Sequence, residues 1–266
     1  MRPQEMKCST TKCPLFVDDS HSLSFCFIGK VASTSIKRLF APLLNVTVIG
    51  NTSDALHWSF NSQTLRFGPR TLVHSHRGGY AKARHYFATL LKKCQPFSLS
   101  LSQALFVRHP FERLVSVYIS KALRTRSELE WAFKAYWDKI PGVKADNRCP
   151  TFSEFVDFVL ANPVEKWDPH WYPYYTRCQP CLVDYDFVGK LESAGRDFPQ
   201  FFAIVGLDVN ATQLSHDNNR NNVSGIKTTD SKKYFAQLSL DQVMGLYARY
   251  FYDFELFGYD FRDYLL

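Results

Sequence analysis

Two short apolar runs, each closed by a basic residue where a helix begins, constrain this chain more than any other feature. Residues 23–28 read as a buried strand, and Gly29 and Lys30 follow it. Ile36, Leu39, Phe40 and Leu43 then recur at helical spacing, and Pro42 limits that helix. Residues 104–107 read as a second buried strand, closed by Arg108. Pro110 stands where a helix begins, ahead of an apolar face of Leu114, Val117 and Tyr118. A strand, a basic residue and a helix, twice over, predict an α/β fold: a central, mainly parallel sheet flanked by helices. Ligands of such sheets sit beyond the carboxyl ends of the strands.

The rest of the chain continues the alternation. Residues 71–73 read as a short strand and residues 81–93 as a helix. A helix over residues 152–160 is opened by Thr151 or Ser153. Residues 182–188 read as a strand ended by Gly189, followed by a helix to about Val205. The last long helix covers residues 239–251. No repeat and no Gly/Ser linker divides the chain, so residues 23–266 are expected to form one domain, preceded by a stem-like segment over residues 1–22.

Composition narrows the partner. Lys and Arg number 32 against 25 Asp and Glu, a formal charge of +7, which calls for an anionic partner. With 45% apolar residues the chain is not of a disordered class. No run approaches the roughly 20 apolar residues that span a bilayer, and the polar N-terminus has no apolar stretch of the signal-peptide kind. Four N-x-Ser/Thr sequons, at Asn45, Asn51, Asn210 and Asn222, nevertheless fit the secretory route. So do seven cysteines, an odd number that leaves a thiol over. Cys26, inside the first strand, is the expected free thiol, and Cys178 and Cys181 are expected to pair with Cys149 or Cys94. Secretory features without a signal suggest an N-terminal membrane anchor absent from this sequence.

Both strand-to-helix junctions suit a phosphate. Unpaired amides and the helix dipole favour an anion at residues 29–35, where Lys30 adds a charge and Ser33, Thr34 and Ser35 add hydroxyls. The spacing is not that of a Walker A loop. At the second junction Arg108 ends the strand, and Arg113 and Ser116, three apart, share a helix face on which a guanidinium and a hydroxyl converge.

These two segments together resemble the PAPS-dependent sulfotransferases, specifically the Golgi carbohydrate sulfotransferases. The pattern R-x-P-x-x-R-x-x-S-x-Y is complete from Arg108 through Pro110, Arg113 and Ser116 to Tyr118. Asp168-Pro169-His170-Trp171, residues 178–192 and the tail from Tyr247 to Tyr259 look like the branch that contains the HNK-1, chondroitin 4-O and dermatan 4-O enzymes. The resemblance implies a single P-loop-like domain of the sulfotransferase fold, a Golgi membrane location with a lumenal catalytic domain, and PAPS as co-substrate without a metal.

It also implies roles. Gly29, Lys30, Val31, Ala32, Ser33, Thr34 and Ser35 would hold the 5′-phosphosulfate, with Lys30 catalytic as well. Arg108 and Ser116 would hold the 3′-phosphate. Lys227, Thr228 and Thr229 resemble a loop that closes on the nucleotide in heparan sulfate 2-O-sulfotransferase. His74-Ser75-His76 resembles that enzyme's H-x-H, which makes His76 the first choice of general base and His74 the second; His170 is a weaker alternative. Gly29 replaces the usual Pro, Ala32 stands where Gly is frequent, and His109 replaces the common Asp. The acceptor is expected to be an acidic glycan and not nucleic acid, its groove lined by Arg66, Arg70, Arg77, Lys82 and Arg84 and by Lys121, Arg124 and Arg126. Two other readings stand beside this one. A catalytically weakened glycan- or PAP-binding relative would explain the altered loop. A P-loop kinase would need an acidic metal ligand after a strand, for which Asp184 and Asp186 are weak candidates.

Overall fold

Four strands form one sheet in chain order: β1 (Leu15–Asp18), β2 (Leu23–Cys26), β3 (Ser102–Val107) and β4 (Phe187–Lys190). The computed structural model describes residues 15–18, 23–51, 55–57, 59–60, 102–123, 136–181, 183–207 and 231–265. The expected strand at residues 71–73 and helix at residues 81–93 lie outside them. β1 pairs antiparallel with β2, while β2–β3 and β3–β4 are parallel, with Cys26 opposite Leu105 and Val107 opposite Lys190. The sheet is therefore mainly parallel, as expected, with one antiparallel edge strand. The chain leaves β2 and β3 on the same edge, because parallel neighbours end together.

The helices are α1 (Ser33–Leu43), α2 (Pro110–Lys121), α3 (Phe152–Ala161), α4 (Tyr174–Arg177), α5 (Ala194–Ile204), α6 (Ser231–Phe235) and α7 (Leu240–Phe257). They fall into two compact units. The first comprises Met1–Val107 and Tyr174–Arg220, the second Arg108–Pro173 and Asn221–Leu266.

The first unit is built on phenylalanine. Phe106, in the middle of the sheet, stacks on Phe198 of α5 with ring centroids 4.3 Å apart and meets Phe201 edge-on at 5.5 Å. That ring also corrects the reading of Gly189. A Cβ at position 189 would lie 2.3 Å from the Phe106 ring, so the glycine is needed inside β4 and does not end it. The strand begins at Phe187, five residues later than expected, and continues through Gly189 to Lys190.

The disulfide pattern is likewise different from the expectation. Cys26, at the end of β2, is bonded to Cys178, directly after α4, with Cα atoms 6.0 Å apart. Cys26 is not the free thiol, and Cys178 does not pair with Cys149 or Cys94. Among the described residues Cys149 and Cys181 are the free ones. The error is physical: an apolar strand position reports burial, and a buried disulfide sulfur satisfies burial as well as a thiol does.

The second unit packs α2 against α3, α6 and α7 around Phe111, Phe155, Trp171, Leu246 and Tyr250, each at most 1% exposed. Burying a side chain of this size contributes about 1.5–3 kcal/mol. Polar groups carried inside find partners: the Tyr118 hydroxyl donates to the Pro150 carbonyl at 2.9 Å, and the Tyr250 hydroxyl to the Trp171 carbonyl at 2.6 Å. Thr151, not Ser153, caps α3, in a reciprocal box with Glu154. Ser239 and Gln242 form the same box at α7. That helix outruns its expected end at residue 251, because Phe254 and Phe257 extend the buried face. It stops at Gly258, which adopts φ 60°.

Candidate active site

The turn after β2 has unusual backbone geometry. Lys30 and Ala32 both lie in the left-handed region, at φ 68° and φ 51°. A side chain there is disfavoured by about 1–2 kcal/mol per residue. The conformation turns the chain out of the strand and directly into α1, with Ala32 as the N-cap residue and the first helical hydrogen bond running from the Ile36 amide to its carbonyl at 2.9 Å. Alanine has no side chain with which to cap, and the first turn carries no acidic residue. No side-chain cap therefore closes the leading amides at the positive end of the helix dipole, directly after Lys30 in the chain. Ser33 and Thr34 are half-buried and Ser35 is buried.

Beneath this turn lies a polar chain that motif reading missed. His57, on the helical turn at residues 55–57, has its Nε2 3.0 Å from Thr34 Oγ1 and its Nδ1 3.0 Å from Lys37 Nζ. Lys37 is only 6% exposed, with its ammonium 5.2 Å from the Phe27 ring centre and 5.5 Å from that of Phe60. Burial, and secondarily the nearby charge of Arg177, lower its pKa to about 7. The available signal was that Thr34 and Lys37 are three apart on one helix face.

The second junction belongs to the other unit. Arg108, directly after β3, is 7% exposed, and its guanidinium is pinned to Glu112 Oε2 by Nε at 3.3 Å and Nη2 at 3.2 Å. Ser116 lies half-buried on α2. Arg113 does not converge with it on a phosphate. At 1% exposure it donates to the carbonyls of Tyr172 at 2.7 Å and His170 at 3.0 Å, and so organises the turn at residues 168–173. Spacing put Arg113 and Ser116 on one face; it did not reveal that buried carbonyls needed the guanidinium. His170 is itself tied down, with its ring Nδ1 and its amide both on Asp168 Oδ1. Burial raises the Asp168 pKa, but hydrogen bonds from His170 and Tyr136 outweigh it and hold the carboxyl below its ordinary value.

His74, His76, Lys227, Thr228 and Thr229 lie outside the described residues, as do Arg66, Arg70, Arg77, Lys82, Arg84, Arg124 and Arg126. Asp186 is described, and it precedes β4 instead of following it. Its Oδ2 accepts from the Gln103 amide at 2.7 Å, at the amino end of the sheet and away from the ligand edge.

Comparison with known proteins covers nearly all of the chain. A family model described as the sulfotransferase family matches residues 14–260. Carbohydrate sulfotransferase 12 of Xenopus laevis is 28% identical over 95% of this chain, and that of Mus musculus is 30% identical over 95%. Carbohydrate sulfotransferase 8 of Homo sapiens is 30% identical over 92%. The chain spans 61% of the length of the first two relatives and 55% of the third. No solved structure matches.

Proposed function

The chain belongs to the sulfotransferase family, and from that premise we propose that it is a carbohydrate O-sulfotransferase, moving a sulfuryl group from PAPS to a hydroxyl of an acidic glycan. One observation carries the reading. A helix N-terminus with no side-chain cap and no acid follows a parallel strand through a left-handed Lys30 and Ala32. Such an uncapped helix start favours an anion, which supports reading it as the holder of the 5′-phosphosulfate end of the donor.

In the proposed reaction the acceptor oxygen forms a bond to sulfur as the bond from sulfur to the 5′-phosphate oxygen breaks. The electron pair leaves on that oxygen. Lys30 and the amides of residues 29–35 stabilise the charge appearing there. Arg108 and Ser116 hold the 3′-phosphate, with Glu112 keeping the Arg108 guanidinium in one orientation. Lys227, Thr228 and Thr229 close over the nucleotide. His76 takes the hydroxyl proton, and His74 is the second choice. Most of the acceleration in such a site comes from position and fixed charge.

A lumenal, Golgi setting accords with the Cys26–Cys178 disulfide and with the exposure of Asn45 and Asn51 as glycosylation sites; Asn210 and Asn222 lie outside the described residues. Among the described residues no helix is long and apolar enough to cross a membrane. The position of Asp186 at the amino end of β4 weighs against a kinase-type metal ligand. A non-catalytic glycan-binding relative is the second reading, motivated by alanine at the left-handed position 32. Labelled PAPS offered with chondroitin, dermatan and HNK-1-type acceptors, beside titrations with PAP and ATP, separates the three. Transfer and PAP binding support the sulfotransferase; ATP preference supports the kinase; neither nucleotide supports the glycan binder.

A further inference from the structure

We propose that Lys37 and His57 are positioning residues of the donor loop, which act together to turn the Thr34 hydroxyl hydrogen outward, toward the 5′-phosphate of the sulfuryl donor. The inference rests on the reading of residues 29–35 as the phosphosulfate loop.

While it is protonated, below its lowered pKa of about 7, Lys37 has three hydrogens to donate and nothing with which to accept. Lys37 Nζ lies 3.0 Å from His57 Nδ1, so that nitrogen is the acceptor. A neutral imidazole that accepts at Nδ1 carries its hydrogen on Nε2. Nε2, 3.0 Å from Thr34 Oγ1, therefore donates to the threonine oxygen. The Thr34 oxygen becomes an acceptor on its inner side, and its own hydrogen points elsewhere. Thr34 is half-buried in the first turn of α1, where the leading amides already favour an anion. An anion seated there receives the hydroxyl hydrogen along with the amides. A serine or threonine without this inner donor would be free to turn its hydrogen inward instead.

The lysine is held where it does this work. Its Nζ lies over both the Phe27 and Phe60 rings, at 5.2 and 5.5 Å from their centres. An ammonium over aromatic faces keeps part of the stabilisation it loses by leaving water. Arg177 of α4 is the further charged group acting on it. Lys37 is thus a buried amine one helical turn behind the loop, cationic below about pH 7, and it speaks to the loop through one imidazole.

The test is a double-mutant cycle read by PAP titration, with thermal melting as the check on folding. His57→Leu and Thr34→Val are each expected to weaken PAP about tenfold, the loss of one hydrogen bond to a charged group. The double variant is expected to be no weaker than either single one. His57→Gln keeps an acceptor and an N–H donor and is expected to restore most of the affinity, which a merely structural loss would not allow. In the transfer assay the same variants are expected to raise the KM for PAPS more than they lower kcat. Lys30→Ala is the control for the loop itself. If Lys30→Ala weakens PAP but a folded His57→Leu binds as the wild type does, or if the two effects in the cycle simply add, this inference is overturned and the loop reading stands. If neither Lys30→Ala nor His57→Leu alters PAP binding, the loop reading falls and this inference with it.

Discussion

His109 Nε2 lies 3.0 Å from the carbonyl oxygen of Asp260, a link across 151 residues that ties the start of α2 to the chain after α7. The other ring nitrogen, Nδ1, accepts the Phe111 amide at 3.2 Å and caps α2. A neutral ring in one tautomer does both, with Nε2 donating. The ring also stacks on Tyr264 at 5.0 Å. A carboxylate at this position would cap the helix but would have no hydrogen for Asp260. His109→Asp is therefore expected to lose about 1–3 kcal/mol of stability in urea unfolding, the cost of an unsatisfied acceptor facing a charge. An unchanged midpoint would contradict the tie.

Ala32 holds a left-handed conformation at φ 51°, in which its Cβ is unfavourable. Glycine has no such penalty. Ala32→Gly is expected to raise stability by up to about 1 kcal/mol and to leave PAP binding at least as tight. Ala32→Val is expected to lower both. Thermal melting with and without PAP reads the two effects together.

The Cys26–Cys178 bond spans 152 residues and anchors the end of β2 three residues before Gly29. Removing a native disulfide of this kind typically costs about 2–5 kcal/mol. Cys178→Ser is expected to lower the melting temperature, and reducing agent is expected to destabilise the wild type more than it does that variant. Non-reducing peptide mapping should recover the two cysteines in one linked fragment.

Burial of Lys37 gives stability a pH dependence whose sign is determined. Its ordinary pKa of 10.5 falls to about 7 in the folded chain, first through desolvation and then through Arg177. Between those values the unfolded chain binds a proton that the folded chain does not. Its contribution to stability therefore rises with pH across that window and is flat below it. Lys37→Met is expected to remove this rise, so that the difference in unfolding free energy between wild type and variant changes from pH 7 to pH 10. A constant difference would contradict the assignment.

The parts of the fold legible in the sequence are those decided by local chemistry. Pro110 at the first turn of α2, Thr151 as one of two possible caps, and the apolar runs of β2 and β3 each state their role within a few residues. Three misreadings came from partners far along the chain. Gly189 looked like a strand end because nothing nearby shows that the Phe106 ring lies against its backbone. Cys26 looked like a spare thiol because its partner is beyond α4. Arg113 looked like a phosphate ligand because the carbonyls of His170 and Tyr172 that occupy it are nearly sixty residues on. At the site, the motif pointed to Lys30 and Thr34. The lysine and histidine behind them carry no motif, since their link depends on how the segment at residues 55–57 packs against α1.

The central claim is that residues 29–35 hold the phosphosulfate of a sulfuryl donor for transfer to a glycan. Its most direct test is transfer of label from PAPS to a chondroitin, dermatan or HNK-1-type acceptor by the wild type and by Lys30→Ala, with PAP affinity measured on both. The account predicts transfer by the wild type, a loss of at least about a hundredfold in Lys30→Ala, as for removal of one group that stabilises developing charge, and weaker PAP binding in the same variant. Undiminished transfer and PAP binding in a folded Lys30→Ala protein would contradict it.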